Sequence, residues 1–582
     1  MHRATDQFRQ ETLFERHTHM TLETLKIQLD DMSESGKDKI HFASDEFKRI
    51  EQHFNDFCSQ VVDIHSKQGV RVHYLSVHSE NASSNIKIFI PGDVIRVLKG
   101  SEYDTVLRVS HKNRRYTIWL PSAVRLIRFD ESQRFAQLDS PPLSYQWELN
   151  PDIQMNLLLS GNLGETSVIP IVVLEDPEAQ FVEEIIALSD TERRLYRKSD
   201  WFFAERPSDI WNYLINGSIY DPRHHKGINK RFKCQQCAFA WWSYFNFLHK
   251  KTDKRLYDII QDEIAYSVLL DMSKKGEWGH GYWSNNIETH TRFHLDGIHL
   301  LISQHEKTGE KLWLDASERG MSFIINNLTE RLDEGGTWFL HDTIEHTAKH
   351  HFASTLFGKT PGNSLCINTH VQALTVLHRL HLLIADNQLY NEIFTNGVKA
   401  LQIILDHQPG KAFYKLLMPF MIKYKKRRRA HTLKGKLNNI LQGIIIPRIY
   451  WFMRHQFPRL VYPGGFTERD LTLSFFSDRY HIINLKDFLT LYQQVSLPWL
   501  RLYIKDGVAF IRKLIAELDL RNALASSSYY IELIDVLYMY DRLIEPVESE
   551  SMKKVENAIY LETGGYSLDY YTSEFVRADE NA

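Results

Sequence analysis

The spacing of apolar residues along this 582-residue chain divides it into three parts. Residues 1–67 carry apolar positions at partial helical spacing, such as Phe47, Ile50 and Phe54, and predict a helical arm on which a homodimer could form. Between 68 and 175, short runs of alternating apolar and polar residues are separated by turn residues, as is typical of strands. That segment is predicted to be a β-sandwich or β-barrel.

From residue 180 to 582, apolar positions recur at helical spacing in pairs of segments joined by short turns. Four or five such hairpins side by side predict an α/α-toroid, so the fold class is α+β, multidomain. The longer loops precede residues 290, 363 and 480, where we expect functional side chains. The predicted helices cover 233–250 and 253–272, 290–306 and 310–328, 363–383 and 387–406, 480–494 and 497–517, and 527–545 and 549–562.

The stretch from Asp333 to Leu382 combines a turn signal with aromatic, acidic and histidine side chains. Its Gly335-Gly336 turn delivers Trp338 and polar groups close to the start of a helix. An aromatic ring stacks on the apolar face of a pyranose, and acids or histidines contact its hydroxyls or move protons. The pattern therefore indicates a sugar site, and the alternative is an ordinary loop between two helices.

A second polar loop leads into the helix that begins near His290. His290 and His294 stand four apart, a spacing that could hold a metal, but the glutamate of the His-Glu-x-x-His motif is missing. We therefore expect no metal, and expect these side chains to bind sugar or carboxylate groups. Arg292 offers the planar fork suited to a uronate carboxylate, unless a salt bridge to Asp296 occupies it.

The segment between Asp406 and Glu468 contains 13 Lys and Arg residues and no acidic residue. The rest of the chain therefore carries 57 basic and 73 acidic residues. Apolar clusters flank the basic run, a combination that suits an anionic membrane surface. Nucleic acid is the competing partner, but these flanks are too apolar for a solvated nucleic-acid face; a plain solvated insertion is the third interpretation. We predict a basic amphipathic insertion at 407–460 that binds membrane through Lys425, Lys426, Arg427, Arg428 and Arg429.

Two absences bear on compartment and chemistry. Cys234 and Cys237 have redox-like spacing, but no second pair completes a zinc site and their flanks read as one helix. The first 20 residues are polar, and no apolar run reaches the roughly 18 residues of a spanning helix. The chain is predicted to be cytoplasmic, peripheral on the inner membrane face, and to need no cofactor.

Two groups of motifs occur in a fixed order between residues 330 and 495: Gly335-Gly336-Thr337-Trp338, Pro361-Gly362 and a helix with Gln372-Ala373 and Arg379, then Ser477-Asp478-Arg479-Tyr480-His481 and Asn484-Leu485. In this order they resemble the C-terminal domain of the glucuronyl C5-epimerases of heparan and heparosan. A β domain followed by helical hairpins is also the order in that family. The resemblance implies C5-epimerisation of uronic acid residues in a polysaccharide or lipid-linked glycan.

This reaction removes the proton alpha to a carboxylate and returns it from the other face, so it needs an acid and a base on opposite sides of the ring. The family's helix tyrosine matches Tyr480, whereas its loop tyrosine falls near Arg469, with Tyr462 as the nearest substitute. Its glutamate matches Glu345 in order, with Asp342 or His341 as alternates. The candidates are catalytic Tyr480, Tyr462, Glu345 and His481, and substrate-binding Arg292, His294, Trp338, His341, His370, Asn285, Trp283 and Arg469.

Three other functions fit the same residues. A glycoside hydrolase needs two carboxylates flanking the bond, which Asp296 with Asp342 or Glu345 could supply. A polysaccharide lyase would use the same tyrosines and histidines but eliminate the C4 substituent. A membrane-docked glycan-binding factor without catalysis is favoured by the replaced loop tyrosine and disfavoured by the many His, Trp and Asn residues in the three loops. If the hairpins form a toroid, we expect Tyr480, His294, Arg292, Trp338 and His370 to lie around one cavity.

Overall fold

The computed structural model describes residues 23–26, 39–54, 58–78, 83–99, 104–121, 124–129, 135–139, 143–148, 153–160, 166–189, 197–198, 203–204, 206–221, 231–280, 289–332, 335–343, 366–384, 387–407, 478–517 and 529–546. They belong to two compact units. The β unit comprises 1–192, 207–231 and 254–259, and the helical unit comprises 193–206, 232–253 and 260–582. The basic insertion predicted at 407–460 lies outside the described residues beyond His407.

Two sheets form most of the β unit. The smaller has the order β1-β6-β13-β12; the larger runs β19-β11-β10-β14-β5-β4-β3-β2, with β7, β8 and β9 joined to it through β14. β1 pairs with β6 in parallel, whereas β6-β13-β12, β2-β3-β4-β5-β14-β10-β11 and β7-β8-β9-β14 pair antiparallel. The strands are β1 Glu23–Lys26, β2 Lys39–Ala43, β3 Phe47–His53, β4 Cys58–His65, β5 Val70–His78, β6 Ser83–Ile90, β7 Asp93–Lys99, β8 Thr105–His111, β9 Arg114–Leu120, β10 Val124–Phe129, β11 Phe135–Asp139, β12 Leu143–Glu148, β13 Ile153–Ser160, β14 Thr166–Glu175, β15 Arg197–Lys198, β16 Phe203–Ala204, β17 Leu214–Ile215, β18 Ser218–Ile219, β19 Arg231–Phe232, β20 Thr329–Arg331 and β21 Thr337–Phe339.

The two large sheets share one core. Ile88 and Ile90 of β6 are buried in the same apolar cluster as Leu75 of β5, Ile118 of β9 and Ile171 of β14. Alternation puts every second side chain of a strand on this face, which is why the period-two runs predicted these strands. The prediction of strands between 68 and 175 is confirmed for the described residues.

The predicted N-terminal helical arm is wrong for nearly all of its described residues, because they form the strands β1 to β4, and only the 3-10 turn Ser66–Gln68 is helical. Phe47 and Ile50 are both buried although they point to opposite faces of β3. Arg49, on the same face as Phe47, is also buried, in an ion pair with Asp63. A strand covered on both faces places apolar residues three apart, and this spacing imitates a helix.

Ten helices are described. The prediction of paired helices is confirmed within a few residues at each end, except for 549–562, which lies outside the described residues. The helices are α1 Gln180–Ser189, α2 Gln235–Thr252, α3 Arg255–Asp271, α4 Thr291–Thr308, α5 Lys311–Asn327, α6 Ile367–Leu383, α7 Gln388–His407, α8 Asp478–Val495, α9 Pro498–Glu517 and α10 Tyr529–Leu543.

The first helices of successive hairpins pack on one another in chain order: α2 on α4, α4 on α6, α6 on α8, and α8 on α10. Each of α4, α6 and α8 also packs on the helix that follows it. The first helices therefore form an inner layer, and α5, α7 and α9 lie outside it. No helix in the described part of the chain has the length and hydropathy that a bilayer-spanning segment requires.

The Gly335-Gly336 turn joins β20 to β21 and allows a prediction about stability. Gly336 has φ +90°, and a Cβ there would lie 2.7 Å from the carbonyl oxygen of Asn396 and 2.9 Å from Cβ of Ala400. We expect Gly336→Ala to lower the free energy of unfolding by about 2–4 kcal/mol, from the left-handed backbone and from overpacking. Urea denaturation of the chain measures the loss.

The matched control is Gly309→Ala at the end of α4. Gly309 has φ +73°, but a Cβ there would have no heavy atom within 4 Å. Only the backbone cost of about 1 kcal/mol should remain. Equal losses in the two variants would contradict close packing at the Gly335-Gly336 turn.

Candidate functional site

Two loops meet at the N-terminal end of α4. His290, the residue before the helix, pairs with Asp342 in an isolated antiparallel bridge. The backbone N–H of Thr291 donates to the carbonyl oxygen of His341 across the same bridge, at 2.9 Å. The bridge brings His290, His341 and Asp342 together from segments some 50 residues apart in sequence.

We call His280, His290, His341 and Asp342 the histidine–aspartate cluster. The rings of His290 and His341 meet edge to face, with centroids 4.4 Å apart. Nε2 of His341 lies 3.8 Å from a carboxylate oxygen of Asp342, and all four side chains are buried. An imidazole beside a carboxylate can take up a proton and be stabilised as a cation, so the cluster has the chemistry of a general base.

His280 connects the cluster to α2. Its Nδ1 accepts the backbone N–H of His290 at 3.1 Å, so in the neutral ring Nε2 carries the proton. That Nε2 lies 2.7 Å from Oε1 of Gln235, the first residue of α2. His280 thereby holds His290 in position from a third segment of the chain.

The first turn of α6 approaches the cluster from the other side. Nδ1 of His341 lies 2.9 Å from the hydroxyl oxygen of Thr369. The Asn368 side-chain oxygen accepts the backbone N–H of Thr369 at 2.9 Å, and Cys366 precedes the helix as its N-cap. The cluster thus lies between the N-terminal ends of α4 and α6, where the helix dipoles favour negative charge.

Arg292 binds Asp487 rather than a free carboxylate site. Its guanidinium makes two bonds to Asp487, of 2.6 and 3.1 Å, and a third to the carbonyl oxygen of Asn368, of 3.0 Å. Burial disfavours the charged form, but the Asp487 carboxylate outweighs burial and keeps the pKa of Arg292 above its usual value. Asp296, the alternative partner considered from the sequence, accepts a bond from Gln372 instead. The guanidinium fork expected to bind a uronate therefore joins α4, α6 and α8.

Three predicted site histidines each bond to the helix that follows in their hairpin. Nε2 of His294, His370 and His481 lies 3.2, 3.0 and 3.1 Å from the carbonyl oxygens of Gly320, Gly397 and Gly507 in the following helix. Burial lowers the pKa of His294 and His370 to about 3 and that of His481 to about 4. Each neutral imidazole therefore links the two helices of its hairpin through its hydrogen bond to the glycine carbonyl oxygen.

The aromatic residue expected to stack on a sugar is also buried. Trp338 has no exposed surface, and its ring lies flat on His370, with centroids 3.9 Å apart. Its apolar face is thus occupied by a side chain of α6. The expected stacking of Trp338 on a pyranose is therefore wrong.

Several predicted residues have no described side chain. Tyr480 is the third residue of α8 and directly precedes His481, and only its backbone is described. Outside the described residues lie Tyr462, Glu345, Asn285, Trp283, Arg469, Lys425, Lys426, Arg427, Arg428 and Arg429. Their predicted roles stay predictions.

Sequence reasoning missed Thr369 and Asp487, and it noted His280 only as part of the polar loop before α4. One signal could have pointed to the inner helices: a histidine at each helix start is followed 26 or 27 residues later by a glycine, as in His294 and Gly320. Cys234 has a structural place, since it caps α2 and accepts the backbone N–H of Cys237 at 3.5 Å. Among the side chains that the structure describes, no group of His, Cys, Asp and Glu is arranged to hold a metal ion.

No protein-family model and no curated protein matches this chain. Two solved structures are similar at 10% sequence identity. One, a polysaccharide lyase, covers 88% of this chain and 80% of its own, with a TM-score of 0.25. The other, a family 76 glycoside hydrolase from a bovine Bacteroides thetaiotaomicron strain, covers 53% of this chain and 78% of its own, with a TM-score of 0.20. At these TM-scores neither likeness bears on the site.

Proposed function

We propose that the chain is a carbohydrate-active enzyme that removes and returns the C5 proton of uronic acid residues in an acidic polysaccharide, with its hairpins arranged as an α/α-toroid. The observation that carries the proposal is the histidine–aspartate cluster, in which His341 can act as the base. Asp342 lies close enough to stabilise the imidazolium that forms when His341 takes the proton.

The helix ends support the same reaction. Removal of a proton alpha to a carboxylate places negative charge on the carboxylate oxygens, and this charge needs stabilisation in the transition state. The N-terminal ends of α4 and α6 meet at the cluster and present partial positive charge there. They favour an anionic substrate over a neutral sugar, and hence a uronate.

Tyr480 is the proposed acid on the opposite face of the sugar ring. In α4 and α6 the residue before the glycine-bound histidine contacts the cluster: Phe293 stacks on His290, and Thr369 bonds to His341. Tyr480 holds the corresponding sequence position in α8, before His481. This correspondence supports the role of Tyr480. The resemblance of the Asp478–His481 segment to the glucuronyl epimerases supports the same role.

The test is solvent exchange on a heparosan-type polysaccharide in deuterium oxide. The wild-type chain is expected to introduce deuterium at C5 of the uronate, detected by NMR spectroscopy or mass spectrometry of the digested product. Tyr480→Phe and His341→Gln should each lower the exchange rate by about 10²–10⁴-fold, the usual contribution of an acid or base. Both variants should retain the helical circular dichroism of the wild type.

Tyr503→Phe is the matched control, because the Tyr503 hydroxyl donates to Asp406 on the exposed outer layer. It should exchange at the wild-type rate. An ultraviolet-absorbing double bond would assign a lyase, and new reducing ends would assign a hydrolase. Absence of every product with uronate polysaccharides would overturn the enzymatic proposal.

A further inference from the structure

His370 has both ring nitrogens bonded to the backbone of neighbouring elements. Nδ1 accepts the N–H of Phe339 at 3.1 Å, and Nε2 lies 3.0 Å from the carbonyl oxygen of Gly397. A nitrogen that accepts an N–H carries no proton, so His370 is neutral with its proton on Nε2. The ring therefore connects β21 on one side to α7 on the other.

The bond to Gly397 belongs to a repeated design. His294 and His481 bind Gly320 and Gly507 in the same way, and His370 adds to it the bond from β21. The helices of this hairpin pack closely at the glycine, since a Cβ on Gly397 would lie 2.5 Å from Cδ2 of Leu374 and would force that side chain to move. The ring of His370 thus has a fixed position relative to both helices.

Strand β21 leads directly into the histidine–aspartate cluster. The residue after Phe339 is Leu340, and His341 and Asp342 follow. Trp338, next to Phe339 in the strand, lies flat on His370. The position of β21 on α6 therefore determines where the imidazole of His341 and the carboxylate of Asp342 are placed.

We propose that neutral His370 is a latch that holds β21, and with it His341 and Asp342, on α6, and that protonation of His370 releases the strand. His370 acts here as a positioning residue. The proposal goes beyond the proposed function, because the latch depends on the contacts of His370 and not on the reaction that the cluster performs.

Protonation breaks the latch for a geometric reason. A proton on Nδ1 would face the N–H of Phe339 at 3.1 Å, so two donors would oppose each other. The new cation would also be fully buried, where water cannot solvate it. Stacking on Trp338 favours an imidazolium and offsets part of this cost, but it restores no acceptor for Phe339.

The ionisable groups that the structure describes around His370 do not supply a countercharge. Burial lowers the pKa of His370 to about 3, and no charged side chain among the described residues contributes to the shift. The ionisable groups nearby bind other partners or are exposed. Arg292 and Asp487 bind each other, and Asp296 accepts a bond from Gln372. His341 bonds to Thr369 with Asp342 beside it, Cys366 bonds to Asn368, and Lys399 is exposed near Gly335.

The sign of the pH dependence follows from these values. A released histidine has a pKa of about 6.5, so below that pH the open state binds one more proton than the latched state. The equilibrium constant for release of β21 is then nearly constant above pH 7, and it rises tenfold for each pH unit as the pH falls toward 3. At pH 5 it is about 30-fold larger than at pH 8.

Hydrogen exchange of the native chain tests the latch. After correction for intrinsic exchange, the peptide spanning residues 336–343 is expected to lose protection about 30-fold between pH 8 and pH 5. His370→Asn keeps an oxygen that can accept the N–H of Phe339 but cannot titrate, so its protection should not change with pH. His370→Gln can place its amide N–H where Nε2 donates to Gly397 but has no acceptor at the position of Nδ1, so residues 336–343 should exchange rapidly at every pH.

His294→Gln is the matched control, since it removes a histidine with the same glycine bond but no bond to β21, and the pH dependence of residues 336–343 should survive it. Wild-type protection that does not change with pH, or an unchanged slope in His370→Asn, would overturn the latch. Histidine NMR of the wild type is a second readout and should show His370 neutral at pH 5 in the latched state. A protonation midpoint near pH 6.5, with β21 still protected from exchange, would also overturn the latch.

Discussion

Replacing Asp487 with Ala is expected to destabilise the helical unit by about 3–5 kcal/mol, because Arg292 would keep a charge in a largely buried place without its partner. The Arg292 side chain is 19% exposed and that of Asp487 is 11% exposed, so water screens little of their attraction. The pair also connects α8 to α4 and α6, three helices that are distant in sequence. Urea denaturation with tryptophan fluorescence measures the loss.

Two further variants separate charge from packing. Asp315→Ala removes an exposed ion pair with Lys311 and should change stability by no more than about 1 kcal/mol. The double variant Arg292→Met and Asp487→Leu removes both charges and should recover most of the stability lost by Asp487→Ala. A single Asp487 variant as stable as the wild type would contradict the bridge.

Replacing the five residues Lys425–Arg429 with Gln is expected to reduce binding to anionic liposomes at least a hundredfold. Each Lys or Arg near an anionic surface contributes roughly 1 kcal/mol, so five contribute several. These residues lie outside the described part of the chain, and the prediction rests on their sequence, with apolar flanks at 413–422 and 444–453 adding a salt-resistant part. Co-sedimentation with phosphatidylcholine vesicles, with and without phosphatidylglycerol, across a salt series measures binding.

The control is Lys274→Gln with Lys275→Gln, an exposed basic pair in the helical unit, which should leave liposome binding unchanged. Binding that ignores lipid charge would contradict electrostatic docking. Equally tight binding to duplex DNA would assign the segment to nucleic acid.

Local patterns predicted the helical unit well, for a physical reason. The hairpin α4–α5 was predicted at 290–306 and 310–328 and occurs at Thr291–Thr308 and Lys311–Asn327. Helical hydrogen bonds and the apolar face repeat within a few residues, so the sequence of one helix contains most of what determines its ends. The alternating runs between 68 and 175 predicted strands for the equivalent reason, since apolar residues on one face of a strand alternate with polar residues on the other.

The N-terminal arm and the site could not be predicted in this way. Strand β3 depends on β4, and β4 on β5, so pairing between strands overrode a spacing that resembled a helix. Among the candidate residues, burial could not be inferred from sequence for His294, His370 and Trp338. Each has the chemistry of a sugar ligand, and in the structure each is buried: His294 and His370 bond to the following helix, and Trp338 stacks on His370.

By itself the sequence determined the paired helices, the alternating strands and the loops near which polar groups gather. Only the tertiary structure decided that His290 lies opposite Asp342, that Asp487 binds Arg292 and that His370 holds β21. The physical reason is that these contacts join segments separated by between 31 and 195 residues. Local propensity carries no information about which distant side chain a residue will bind. Packing of the inner helices selects that partner.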